Sequence, residues 1–120
     1  DAERASGALT VRRGRVAYLR CDGASGRACA RDEPMEQAVW AAIQALPTCA
    51  SPPSAAGHAD LRLELRADDA PLVEWRDTFA DDVARLDRDA VLACLRAPLG
   101  AVRRTIATER LLVSFRFSME

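Results

Sequence analysis

Apolar and polar side chains alternate with a period of two in the middle of the chain, which is typical of half-buried strands. In the segment ADLRLELR, residues 59–66, three leucines share one face and charged side chains share the other. After the turn ADDAP, the segment LVEWRDTF, residues 72–79, continues the alternation with Val73, Trp75 and Phe79 facing inward. These two segments are predicted to form an antiparallel hairpin.

Three further strands are predicted near the two ends of the chain. The segment RLLVSFRFSM, residues 110–119, alternates and is rich in β-branched and aromatic side chains, which is typical of a central strand. Near the N-terminus, the short apolar runs 9–11 and 16–19 flank Arg13 and Gly14. Because glycine suits a tight turn with positive φ, this pattern favours a β-hairpin.

Two segments have the period of 3.6 residues that indicates an amphipathic helix. In residues 32–47, Asp32 is the expected N-cap, glutamates occupy the first turn, and Pro47 ends the helix. The second helix, DRDAVLACLRAPLG, begins with Asp87 as its N-cap and ends within residues 98–100. The preceding segment ADDVARL is interpreted as a loop or a single helical turn.

The predicted order β-β-α-β-β-α-β describes an α+β fold of two layers, in which two helices cover one face of an antiparallel sheet. A ferredoxin-like sandwich is the alternative, because its strands and helices fit the same order. The 120 residues are expected to form a single domain with one core. Residues 1–31 would be an N-terminal extension, a hairpin followed by a loop between two cysteines, and residues 32–120 the main body.

Composition and charge argue against several classes of partner. The 17 basic residues, all arginines, are balanced by 18 acidic residues and alternate with them along the chain, for a net charge of −1. No overall positive field therefore attracts nucleic acid, and nucleic acid is not an expected partner. No apolar run approaches the ~20 residues of a membrane-spanning helix, so no span is expected either.

Side chains able to perform catalysis are sparse. The single histidine, His58, is predicted to lie in a loop, and only Cys49 or Cys94 could act as a nucleophile beside it. The aspartate pairs at 68–69 and 81–82 lie on predicted turns, where neighbouring carboxylates point apart. We therefore expect no catalytic residue, no cofactor and no enzymatic activity.

Four cysteines in a short chain favour a disulfide framework. A zinc site is not expected, because no pair of cysteines has the short spacing of a zinc knuckle. Cys21, Cys29, Cys49 and Cys94 allow three pairings, and the sequence by itself does not choose among them. A disulfide framework indicates an oxidising compartment, the periplasm or the outside of the cell.

Residues from about 35 to 119 resemble the C-terminal domains of the TonB/TolA-like superfamily, most of all its myxobacterial branch related to gliding motility. The resemblance lies in the order of the segments AAIQALPTC, ADLRLELRADDAPLVEW, LDRDAVLACL and ERLLVSFRFSM. It implies one cysteine near the first helix and one in the second, so that Cys49 would pair with Cys94. We expect Cys21 to pair with Cys29, which would close the loop CDGASGRAC. The segment AVRRTIATE before the last strand departs from the family pattern.

The resemblance implies a non-catalytic module of the periplasm or cell envelope that binds a partner protein or peptide. Such domains contact their partners through a sheet edge or an adjacent groove. The sequence does not show which edge is free. A small secreted inhibitor or structural accessory domain is the alternative, and the loop CDGASGRAC would then be its contact surface.

Overall fold

The computed structural model describes residues 9–22, 24–25, 27, 29–50, 57–66, 69–77 and 81–119. Its strands are β1 (Val11–Cys21), β2 (Ala24–Ser25), β3 (Gly57–Arg66), β4 (Leu72–Asp77) and β5 (Arg110–Met119). Its helices are α1 (Glu33–Gln44) and α2 (Asp81–Gly100), and a 3₁₀ turn spans Leu46–Thr48. The α+β fold and the order β-β-α-β-β-α-β are thereby confirmed.

The strands form one antiparallel sheet in the order β2-β1-β5-β3-β4. β5 is central, as its side chains predict. Because successive side chains of a strand point to opposite faces, β3 and β5 present one buried apolar face and one face toward solvent. The side chains on the buried face are at most 3% exposed: Ala59, Leu61, Leu63, Leu65, Leu111, Val113, Phe115, Phe117 and Met119.

Both helices pack against this apolar face of the sheet. α1 and α2 contribute to the same hydrophobic core as the strands, which places them in one layer. Trp40 of α1 meets Phe115 of β5 edge to face, with ring centroids 5.4 Å apart. Burial of each large apolar side chain contributes about 1.5–3 kcal/mol, so this layer supplies most of the driving force for folding. The apolar helical residues with the least exposure are Met35, Val39, Ile43, Val91, Leu95 and Leu99.

The predicted N-terminal hairpin is wrong. β1 continues without a turn through Gly14, and its pairing with β5 shifts register between Arg13 and Val16. Gly14 does not adopt a positive φ; instead, a Cβ atom there would lie 2.4 Å from the backbone oxygen of Arg116. The glycine therefore permits close approach of two strands at a bulge. The first hairpin is formed by β1 and β2, which pair at Arg20 and Cys21.

The second helix also begins earlier than its sequence pattern suggests. α2 begins at Asp81, so the segment interpreted as a loop or single turn is helical, and Asp87 lies inside the helix. Two features account for this. Asp81 and Asp82 are acidic residues at the start of the helix, where the positive end of the helix dipole favours negative charge. Ala84 has high helix propensity. The helix ends at Gly100, within the predicted range.

We predict that Gly14→Ala destabilises the fold by about 1–3 kcal/mol, because the new methyl group must displace the backbone of β5. Chemical denaturation followed by circular dichroism measures this loss. Gly100→Ala is the matched control, since a Cβ atom there has no neighbour within 4 Å. It should change the free energy of unfolding by no more than about 1 kcal/mol. Equal losses in the two variants would contradict the role assigned to Gly14.

Candidate interaction site at the edge of the sheet

Two disulfides fasten the helical layer and the loop after β1. Cys49, just after the 3₁₀ turn, is bonded to Cys94 of α2, with their Cα atoms 5.9 Å apart. Cys21, at the end of β1, is bonded to Cys29, with a Cα separation of 5.6 Å. Each cross-link restricts the unfolded chain and is worth about 2–4 kcal/mol. Cys94 therefore braces α2 against the end of α1.

His58 lies away from the position that the sequence suggests. It belongs to β3 instead of a loop, and its side chain is exposed on the solvent face of the sheet, where it pairs in register with Ser118. Cys49 and Cys94 are disulfide sulfurs and hold no thiol for an imidazole to activate. The described residues contain no cluster of three or more His, Cys, Asp or Glu side chains that could hold a metal ion.

The two edges of the sheet differ in their capacity to pair with another strand. β2 covers β1 only at Arg20 and Cys21, and the rest of the β1 edge carries two register shifts. Arg12, Arg13 and Arg15 are exposed along it. Bulges and charged side chains are the features by which natural sheets prevent strand addition. The β1 edge is therefore protected.

The β4 edge has charged residues at Glu74, Arg76 and Asp77, but it lacks the bulges of the β1 edge. β3 and β4 pair without a register shift, and no described strand lies on the outer side of β4. Leu72 is 52% exposed and Val73 is 39% exposed, and within the described parts of the chain they are the exposed large hydrophobic residues. A regular, partly apolar and uncovered edge presents backbone N–H and C=O groups that an added strand can satisfy.

An apolar groove runs beside this edge, between β4 and α2. It has a volume of about 370 Å³, and its walls include Pro71 and Val73 from the β4 side. The α2 side contributes Leu92, Leu95 and Leu99. Because Val73 lies opposite Leu63 in the β3–β4 register, its side chain points to the helical face of the sheet. Val73 therefore lines the groove from the helical face of the sheet.

Arg96 introduces a positive charge at this otherwise apolar groove. Its side chain is exposed on α2, and it is the charged residue among those that line the groove. Among the described residues, no acidic side chain forms an ion pair with it. A guanidinium at the mouth of an apolar groove favours a ligand that carries a carboxylate.

A polar network lies at the opposite side of the helical layer, where α1 begins. The carboxylate of Glu36 is 3% exposed and accepts two hydrogen bonds from the guanidinium of Arg31, at 3.0 and 3.1 Å. The hydroxyl of Tyr18 donates to the same carboxylate and accepts the backbone N–H of Asp32 at 2.7 Å. Because these groups satisfy one another, the network joins β1 to α1.

Asp32 fastens the same helix end to the segment that precedes β5. As predicted, it caps α1, accepting the Met35 backbone N–H at 3.2 Å. It also accepts the backbone N–H of Thr105 at 2.7 Å and the hydroxyl of that residue. The sequence predicts Asp32 as the cap but not its contact with Thr105, and it assigns Glu36 only to the helix dipole. The two contacts that were not predicted, Asp32 with Thr105 and Glu36 with Tyr18, each join residues that are far apart in the chain.

The network shifts the pKa values of two of its members. Burial raises the pKa of Asp32, but hydrogen bonds from Thr105, Met35 and Ile106 outweigh it, so that the pKa lies below its ordinary value. Burial and the hydrogen bond to Glu36 raise the pKa of Tyr18 well above its ordinary value. At neutral pH Asp32 is therefore an acceptor and the hydroxyl of Tyr18 a donor.

Comparison with known proteins identifies no relative: no family model, curated protein or solved structure matches the chain. The resemblance to TonB/TolA-like domains therefore stays a hypothesis that rests on the pattern and order of the segments. None of the helices in the described parts of the chain combines the length and the apolar composition that a transmembrane helix requires.

We predict that non-reducing peptide mapping recovers the Cys21–Cys29 and Cys49–Cys94 pairs. Replacing Cys49 and Cys94 together by alanine should lower the free energy of unfolding by about 2–4 kcal/mol. Replacing Cys21 and Cys29 should cost less, since that bond closes a shorter loop, a sequence separation of 8 against 45. Four free thiols in the natively folded protein would contradict the framework.

Asp32→Asn should destabilise the protein by about 1–3 kcal/mol at neutral pH, because the amide cannot accept all the hydrogen bonds that the carboxylate accepts. Because the pKa of Asp32 is lowered in the folded state, its contribution to the free energy of unfolding also depends on pH. It is fully present above the ordinary aspartate pKa of 3.8 and is lost as the pH falls through the lower folded value.

Urea denaturation at several pH values measures this dependence. The variant should lose less stability than the native protein over that acidic range. Asp69→Asn, at an exposed turn position, is the control and should keep the native pH profile. If the Asp32 and Asp69 variants have the same profile, Asp32 is not the acid-sensitive group.

Proposed function

We propose that this protein is a non-catalytic binding module of the periplasm or cell envelope that accepts an extended segment of a partner protein alongside β4. The observation that carries this proposal is the exposure of Leu72 and Val73 on a regular strand edge without bulges. A partner strand would complete the backbone hydrogen bonds of β4, and its side chains would supply specificity.

The groove beside β4 defines the chemistry of the partner segment. Alternate side chains of an added strand face the helical layer, so those residues would enter the groove lined by Val73, Leu92 and Leu99 and should be apolar. Arg96 adds a preference for an acidic side chain among them or next to them. The partner is therefore an extended segment of alternating apolar residues that carries an Asp or Glu.

The two disulfides support the proposed compartment. Disulfides persist in oxidising surroundings such as the periplasm or the outside of the cell and are rare in the cytosol of most organisms. The resemblance to TonB/TolA-like domains supports the same compartment and the same mode of binding through a sheet edge.

An inhibitor that acts through the loop CDGASGRAC is supported less well. Ala24 and Ser25 form β2 and pair with Arg20 and Cys21, so this described part of the loop is held against the sheet. Gly23, Gly26 and Ala28 lie outside the described residues. The β4 edge, by contrast, combines exposed apolar residues with an adjacent groove.

Selection from a display library of random peptides tests the proposal. Peptides of about ten residues suffice, because an extended chain that rises about 3.4 Å per residue then spans the whole length of β4. We expect the selected peptides to alternate apolar residues and to contain an acidic one. On binding, backbone N–H groups of β4 should become protected from hydrogen exchange. Peptides without alternation, or protection confined to the β1 edge, would contradict strand addition at β4.

Two variants locate the site and its charge preference. Val73→Lys should weaken binding of the selected peptides at least tenfold, because it places a charge in the groove, whereas Ala97→Lys on the exposed side of α2 is the matched control. Arg96→Gln should weaken binding about threefold to tenfold, and only for peptides that keep the acidic residue. An equal effect on peptides with Gln in its place would exclude the proposed ion pair.

A further inference from the structure

The solvent face of the sheet, opposite the helices, carries an excess of positive charge. Among the side chains that the structure describes, the register places six arginines on this face, against three acidic side chains, Asp60, Glu64 and Glu74. The complete chain has a net charge of −1, so positive charge is concentrated here. The arginines are Arg12, Arg20, Arg62, Arg66, Arg110 and Arg116.

Two of these arginines lie directly opposite each other at one end of the face. Arg66 of β3 pairs in register with Arg110 of β5. Like charges in directly opposed positions destabilise a sheet. The Nε atom of Arg110 lies 3.6 Å from an oxygen of Glu64, whereas Arg66 has no ion pair with any described acidic residue. One carboxylate thus offsets only part of the repulsion.

Two of the three buried hydrogen-bond donors without acceptors among the described side chains lie on this face; the third is the Nε–H group of Arg104. The Nε–H groups of Arg62 and Arg66 are buried and have no hydrogen-bond partner. These residues share the solvent face of β3 and flank Glu64. A buried donor without an acceptor costs about 1–3 kcal/mol, so such a group in a native structure indicates a missing partner.

A depression of about 420 Å³ adjoins Arg62. Its lining includes three arginines, Arg20, Arg62 and Arg110, and two acidic residues, Asp22 and Glu64. The Asp22 carboxylate is engaged, since it accepts the backbone N–H of Arg110 at 2.9 Å. Arg20, Arg62 and Arg110 therefore line a space with room for an anion, and Arg66 lies opposite Arg110 in the register. These four residues are called the arginine cluster.

We propose that the arginine cluster binds a phosphate monoester. Guanidinium groups pair with phosphate through two parallel hydrogen bonds, and the unpaired Nε–H groups of Arg62 and Arg66 are donors of this kind. A phosphate monoester carries about −1.5 to −2 charges at neutral pH and can offset both opposed arginines, whereas a carboxylate carries one charge. The described residues of this face include no Phe, Tyr or Trp on which the bases of a single-stranded nucleic acid would stack.

A titration with inorganic phosphate near neutral pH, at constant ionic strength and followed by NMR, tests this site. We expect saturable shifts of the Arg62 and Arg66 Nε–H signals. Arg66→Gln and Arg110→Gln should each weaken binding about tenfold, since each removes charge-assisted hydrogen bonds. Glu64→Gln should tighten binding about threefold, because it removes a carboxylate that competes for Arg110.

Arg15→Gln is the matched control, because it removes the same charge from an exposed position of β1 roughly 15–20 Å from Arg110 along the strands. It should leave phosphate binding unchanged. An equal loss in the Arg15 and Arg66 variants would overturn the proposal, since it would show general attraction by charge. Shifts that chloride reproduces at the same ionic strength would also overturn it.

Glucose 6-phosphate and vesicles containing phosphatidic acid distinguish a soluble ester from a lipid headgroup. Glucose 6-phosphate should reproduce the shifts caused by inorganic phosphate. Binding to the vesicles without any binding of the soluble ester would overturn the proposed discrete site. Val73→Lys should not alter the phosphate titration, so failure of this proposal and failure of peptide binding at β4 can be told apart.

Discussion

The pairing of β5 on both sides is the constraint on which the rest of the structure depends. β5 is hydrogen-bonded to β1 and β3, and its inward side chains, from Leu111 to Met119, are almost completely buried. Two consequences follow. Helices must cover that face, and any capacity for further strand pairing is left to the outermost strands. Since bulges and arginines protect the β1 edge, only β4 offers a regular and partly apolar edge among the described strands.

The helical layer covers the sheet unevenly, and this asymmetry produces the groove. α1 is fixed at its N-terminus by Asp32 and Glu36, which join it to β1 and to the segment before β5. The Cys49–Cys94 bond holds α2 to the end of α1. α1 is thus held beside β1 and β5, α2 is held to α1, and Val73 at the outer strand is left partly exposed. The contacts that stabilise the fold thus also define the space beside β4.

Sequence patterns predict those elements whose signal is local and fail where a distant residue decides. β5 and the segment from Ala59 to Arg66 were predictable because one face is apolar and the other polar along their whole length. Gly14 shows the opposite case: glycine suits both a turn and a close approach, and only the Arg116 backbone across the sheet distinguishes them. The hydrogen bond between Tyr18 and Glu36 and the position of His58 depend in the same way on residues distant in the sequence. The sequence predicted binding at a sheet edge or an adjacent groove, but it did not identify the groove beside β4. The reason is that the sequence does not show which strands lie at the edges.

The register of β3 determines which of its side chains face the helices and which face the solvent. A shift of one residue would turn Leu61, Leu63 and Leu65 toward solvent, at a cost of about 1.5–3 kcal/mol for each side chain. Burial of these leucines therefore fixes Arg66 opposite Arg110, although the repulsion costs at most about 1 kcal/mol. Packing does not require this pair of charges, because both positions lie on the solvent face, where a neutral polar side chain would fit. The opposed arginines and the unsatisfied Nε–H groups consequently need another explanation, and an anion bound between them supplies both the charge and the acceptors.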